Sequence, residues 1–136
     1  MPIWLIMITE SDIAKLVDAF YAKVREDSEL GPVFNGAIDD WPHHLVKLQA
    51  FWSSVMLTTG RYKGSPMAAH IRHSNAIEPE MFDRWLGLWR ETARERLAAE
   101  TAEEIIAKAE RIGESLKLAL FFRIDPDGQL RTQAPA

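Results

Sequence analysis

Several polar rings fall on otherwise apolar stretches of this 136-residue chain, and a polar ring that faces a core needs a partner. His70 shares a helical face with Met67 and Ile71, so its imidazole points where apolar side chains point. A neutral imidazole in that setting can ligate the iron of a haem, which leaves a further position for a gas. His44 raises the same question on the preceding helix, at the edge of a stripe with Trp41 and Leu48. Its neighbour His43 reads as the solvated one, although their adjacency leaves open which of the two faces inward. Tyr21 follows Phe20 on the buried side of the first helix, where a phenol seeks a hydrogen-bond partner. Trp85 carries an indole N–H that can only donate. Each has a plain alternative: rim histidines in water, a tyrosine bonded to a backbone carbonyl, an indole that packs.

Other chemistries find less support. His70 and His73 are three residues apart and could share a zinc ion, but no His-Glu-x-x-His motif or carboxylate spacing completes such a site. No nucleophile elbow and no phosphate-binding glycine loop occurs. The chain has no cysteine, which removes disulfides, thiolate ligation of haem, iron–sulfur clusters and cysteine-based zinc sites. A net charge of −4 and a pI near 5.6 speak for solubility rather than nucleic-acid binding. Residues 1–8 are apolar, yet too few to span a bilayer, which takes about 20. They also lack a basic start and a cleavage site, so no membrane partner and a cytoplasmic location are expected.

Helical periodicity sets the frame that must hold these rings. Ile13, Leu16, Val17, Phe20, Tyr21 and Val24 make an amphipathic helix over 11 to about 27, with Thr9 or Ser11 as its cap. Residues 30–34 read as a turn into one short helical turn. Asp40 and Pro42 open a helix to about 58, and Pro66 opens a short one that carries His70. Pro79 begins a long helix to about 99, with Phe82, Trp85, Leu86, Trp89, Ala93 and Leu97 on one side. Thr101 and Glu104 fit a capping box for the last helix, which carries Ile105, Ile106, Ala109, Ile112, Leu116 and Leu120. No segment reads as a strand, and the domain is all-α. Residues 1–9 are expected as an N-terminal extension, 10–122 as the folded domain and 123–136 as a flexible tail.

The ordered series Phe20-Tyr21, Leu30-Gly31-Pro32-Val33-Phe34-Asn35, Trp41 to His44, Phe51-Trp52, Gly60-x-Tyr62-x-Gly64-x-Pro66-Met67, His70 and Phe82-x-x-Trp85-Leu86-x-Leu88-Trp89 resembles the group III truncated haemoglobins. The likeness runs from about residue 10 to 122. It implies a truncated globin-like two-over-two helical sandwich with haem b between the helices of His44 and His70. It makes His70 the proximal iron ligand and Tyr21, His44 and Trp85 the distal set around a bound diatomic ligand; the loop from His70 to Phe82 is about one residue longer than the family pattern, which keeps His73 inside it as a minor candidate ligand. Phe34, His44, Leu48, Tyr62, Met67, His70 and Trp85 would contact the cofactor. The implied function is binding of dioxygen, nitric oxide or carbon monoxide for oxygen or nitric oxide chemistry rather than transport. Nitric oxide dioxygenase or peroxidase-like activity would follow, with a reductase or small-molecule reductant as partner and a monomer or weak dimer as the assembly. A haem-free all-α sensor or interaction module is the rival.

Overall fold

The computed structural model describes residues 8–124 and 130–132. Thr9 opens the first helix through a full capping box. Its hydroxyl accepts from the Asp12 N–H at 3.0 Å, and the Asp12 carboxylate accepts from the Thr9 N–H at 3.0 Å. The helix, α1 (Glu10–Glu26), buries all six residues of the expected stripe. The short helical turn expected next is a full eight-residue helix, α2 (Leu30–Ala37). It meets α1 so closely at Gly31 that an added Cβ would lie 2.7 Å from the Arg25 carbonyl oxygen. A side chain at that position would hold the two helices apart.

Asp40 caps α3 (Trp41–Leu57) by accepting the His43 N–H at 3.1 Å, with Pro42 in the first turn. The helix stops where Thr58 turns left-handed, at φ 56°. Ser65 caps α4 (Pro66–Arg72) in the same way, and a 3-10 turn (Ser74–Ala76) follows. Then come α5 (Pro79–Arg96) and α6 (Ala99–Phe121). Unlike the capping box expected at Thr101 and Glu104, α6 begins two residues before Thr101, which sits buried inside its first turn instead of capping it.

Helix α1 lies against α3 and α5, while α5 lies along α6, so two helix pairs cross as two layers. This is the expected all-α, two-over-two sandwich, and α4 rests on α6 at its side. Phe20 and Trp89 fill the centre with Ile13, Leu16 and Ile105, all essentially inaccessible to solvent. Their burial drives the assembly at about 1.5–3 kcal/mol for each large side chain. One further departure concerns strands. Phe122–Ile124 (β1) pairs antiparallel with Leu130–Thr132 (β2), Arg123 opposite Arg131. Three residues are too few to display an alternating pattern in sequence. Residues 1–7 of the expected extension, and 125–129 and 133–136 of the expected tail, lie outside the described residues.

A charged knot ties the α1–α2 corner to α5. The Asp27 carboxylate accepts from Arg84 Nε at 2.6 Å, from the Leu30 N–H at 2.9 Å and from the Glu29 N–H at 3.1 Å. Arg84 and the two amides hold the Asp27 pKa down at about 2, against the desolvation that raises it. A depressed carboxylate adds stability that is fully present above its unfolded pKa, ~3.9, and disappears as pH falls through about 2. Arg84 is 40% exposed, so solvent screens part of that gain. Asp27→Asn is expected to lower the melting temperature at pH 7 and to converge with the parent near pH 2. Thermal melts across that range check it, and a constant gap at all pH values would contradict it.

Candidate haem site

His70 lies in the middle of α4. Its Nδ1 is 2.6 Å from the Pro66 carbonyl oxygen, one helical turn back. A carbonyl only accepts, so Nδ1 carries the proton and Nε2 keeps its lone pair. This is the tautomer that a metal-ligating imidazole needs, with its other nitrogen held by an acceptor that fixes the ring. The Phe82 ring stands 6.5 Å away, centre to centre. Helix α4 buries none of its residues, and Met67 and Ile71 are 39% and 46% exposed. The apolar face predicted for Met67, His70 and Ile71 therefore does not enter the core; it stands open to a partner. His73 is exposed and ends α4 as its C-cap.

The other predicted rings gather on α1, α2, α3 and α5. Tyr21 is 4% exposed. Burial pushes its phenol well above the ordinary range, and a hydrogen bond with the Trp85 side chain works against that shift. Trp85 itself is half-buried. The Tyr21 ring lies 5.9 Å from Phe34 and 6.0 Å from Trp41, and Trp41 in turn stands perpendicular to His44 at 5.9 Å. Of the two adjacent histidines, His44 is half-buried and His43 exposed. Burial lowers the His44 pKa, and the cationic Lys47 and neighbouring His43 add to the effect, so its ring favours the neutral form.

Trp41 holds this group together, although its residue type alone marks it only for packing. Its indole N–H donates to Asn35 Oδ1 at 3.1 Å, and the Arg25 guanidinium sits 4.7 Å over its ring. Pro66 is the second contributor not foreseen: its carbonyl, rather than a side chain, orients His70. The spacing of four residues that brings it there is the one usable signal in the sequence.

Leu48 packs half-buried against the core from α3. Tyr62 stands edge-on to Phe51 at 5.3 Å, its backbone N–H given to Ser54 Oγ at 2.9 Å, and partial burial raises its phenol pKa. A Cβ added at Gly64 would meet the Tyr62 hydroxyl at 2.6 Å, so the glycine makes room for it. Phe51, Pro66, Met67, Ile112 and Leu116 line an apolar cleft of about 310 Å³ where α3, α4 and α6 converge. Tyr21, Phe34, His44 and Trp85 are thus joined in one group, His70 and Met67 belong to another helix, and Tyr62 reaches Met67's cleft through Phe51. Among the described residues no cluster of three His, Asp or Glu side chains could hold a bare metal ion. A fixed imidazole with a free Nε2, beside exposed apolar side chains, instead fits a ligand that is flat, apolar and metal-bearing.

The family model described as bacterial-like globin matches residues 8–117. The group 3 truncated haemoglobin of Campylobacter jejuni is 34% identical over 118 residues, covering 84% of this chain and 92% of that protein. The crystal structure of a group III truncated haemoglobin from Campylobacter jejuni superposes with a TM-score of 0.77 at 34% identity, over 85% of this chain and 93% of that one. Fold and relatives agree, and with them the haem-free alternative falls: the chain belongs to the bacterial-like globins, within them to the group III truncated haemoglobins, and is a haem globin.

Proposed function

We propose that this globin holds haem b through His70 Nε2 and binds diatomic gases under Tyr21, His44 and Trp85, for oxygen or nitric oxide chemistry rather than transport. The observation that carries the reading is the Pro66 carbonyl on His70 Nδ1, which leaves Nε2 the only ligating atom of that ring. Bound haem supplies an iron with one open position, able to change valence by one electron. The rest is done by the chain. Tyr21 on α1 offers its O–H, and the Trp85 N–H on α5, given to the Tyr21 oxygen in the structure, becomes a second donor where it turns to a bound ligand. Because Tyr21 is buried and its phenol holds its proton firmly, it stays a donor across physiological pH. His44, neutral and half-buried at the Trp41 edge, is a gate: turned inward it narrows the pocket, turned outward it admits ligands. Leu48, Phe34, Tyr62 and Met67 supply apolar contact.

Two donors aimed at a ligand that gains negative charge retain it strongly. Firm retention suits oxidation of nitric oxide to nitrate, with a cytoplasmic reductase or a small-molecule reductant restoring the ferrous state. It does not suit delivery. No described helix is long and apolar enough to cross a membrane. Stopped-flow measurement of oxygen release from the ferrous protein tests the reading: slow release supports chemistry at the site, and release as fast as in a storage protein returns the role to transport. A peroxidase-like role, with the same donors polarising peroxide, is favoured by one further observation, that Trp85 heads a stack of indoles.

A further inference from the structure

Trp85, Trp89 and Trp52 lie face to face through the middle of the molecule. Trp85 and Trp89 are 5.4 Å apart at 7°, and Trp89 and Trp52 are 4.5 Å apart at 21°. Phe20 stands edge-on to both Trp85, at 5.0 Å, and Trp89, at 4.8 Å, and so keeps the rings parallel. The stack begins at a half-buried residue of the candidate gas pocket and ends on α3 at Trp52, 2% exposed. Its middle member is unusual. Trp89 is 0% exposed, and its Nε1 has no hydrogen-bond partner among the described residues. A buried indole N–H normally finds an acceptor, and leaving one unmade has a cost. Packing area alone does not call for an indole there, since a phenylalanine would fill much of the space without that cost.

We infer that the Trp85–Trp89–Trp52 stack is an internal electron donor, supplying one of the two electrons that reduce hydrogen peroxide at the haem. The inference rests on the haem reading above. Reduction of peroxide to two waters takes two electrons and two protons. The cofactor would supply one electron, the stack supplies the other, and solvent gives both protons. The O–O bond breaks, and the stack is left as an indole radical cation. An external one-electron reductant then acts twice, once to refill the stack and once to restore the electron that the cofactor supplied. The missing acceptor at Trp89 is what makes this workable. With no base in reach its N–H proton stays, so the oxidised ring remains a radical cation and takes its electron back without a proton having to return. Tyr21 is the competing donor beside Trp85. A phenol sheds its proton on oxidation, and one buried this deeply, with its proton held firmly, is the poorer choice.

The test mixes ferric, haem-reconstituted protein with hydrogen peroxide and freezes it for electron paramagnetic resonance. A parallel sample is quenched with a spin trap, digested and mapped by mass spectrometry. The expected result is a tryptophan radical, with adducts or ring oxidation on Trp89 or Trp52. Trp89→Phe should take up haem and lose both the signal and the modification of Trp52, and Trp52→Phe should shorten the signal's lifetime. Wild-type mapping decides the matter even if neither variant folds. A tyrosyl radical on Tyr21, modification confined to other residues, or peroxide consumption with no protein radical would overturn the inference and leave the haem reading intact. Failure to take up haem would sink both.

Discussion

His70→Gly is expected to abolish ordinary haem ligation, and imidazole added to the solution is expected to restore it. The glycine removes the nitrogen left free by the Pro66 carbonyl and leaves a gap of imidazole size on a helix that buries none of its own residues. Little of the fold depends on the lost ring, because α4 contributes nothing to the central core of α1, α3, α5 and α6. The loss should therefore appear as lost cofactor and not as a collapsed protein. Thermal stability should fall toward that of the cofactor-free chain, because a bound ligand at a hundred times its Kd contributes about 2.7 kcal/mol. His73→Gly should leave the spectrum unchanged, His73 being exposed at the helix end. Haem lost in the His73 variant and kept in the His70 variant would reverse the assignment.

Tyr21→Phe should speed oxygen release at least tenfold. A hydrogen bond to a charged or charge-gaining group contributes about 1.5–3 kcal/mol, and each 1.36 kcal/mol is a factor of ten in rate. With both donors turned to the ligand, Tyr21 and Trp85 together should slow release by about three orders of magnitude, and the double variant should lose all of it. Phenylalanine keeps the contacts that the Tyr21 ring makes with Phe20, Phe34 and Trp41, so the core is disturbed little. Trp85→Phe also cuts the head of the indole stack, which makes Tyr21 the cleaner probe of gas retention. Laser photolysis or stopped-flow displacement by carbon monoxide reads the rate, and an unchanged value would remove Tyr21 from the site.

Much of this architecture was readable before any coordinates. Periodic apolar residues place α1 and α5, a cap at Asp40 with Pro42 places α3, and Pro66 places α4, because these signals act within one or two turns. The α6 start was misplaced by a local signal that tertiary packing overrode: Thr101 suits a cap, but its burial against the core admits two more residues of helix. Resemblance rather than periodicity selected Tyr21, His44 and Trp85 as one group, since nothing in helical spacing links α1, α3 and α5. Trp41 shows why. Its importance lies in a hydrogen bond to Asn35 and ring contacts with Tyr21 and His44, and these exist only once three helices have met. The Pro66 carbonyl on His70 is hidden for another reason: it is backbone, which residue type does not reveal.

The central claim is that His70 would hold a haem iron that also binds gases. The most direct test is an absorption spectrum of the purified, haem-supplemented protein, recorded oxidised, then reduced with dithionite, then under carbon monoxide. Stoichiometric uptake with a sharp haem band that moves on reduction, and moves again with carbon monoxide, is the result expected of a histidine-ligated globin. A chain that takes up no stoichiometric haem, or a reduced band that ignores carbon monoxide, would contradict the account.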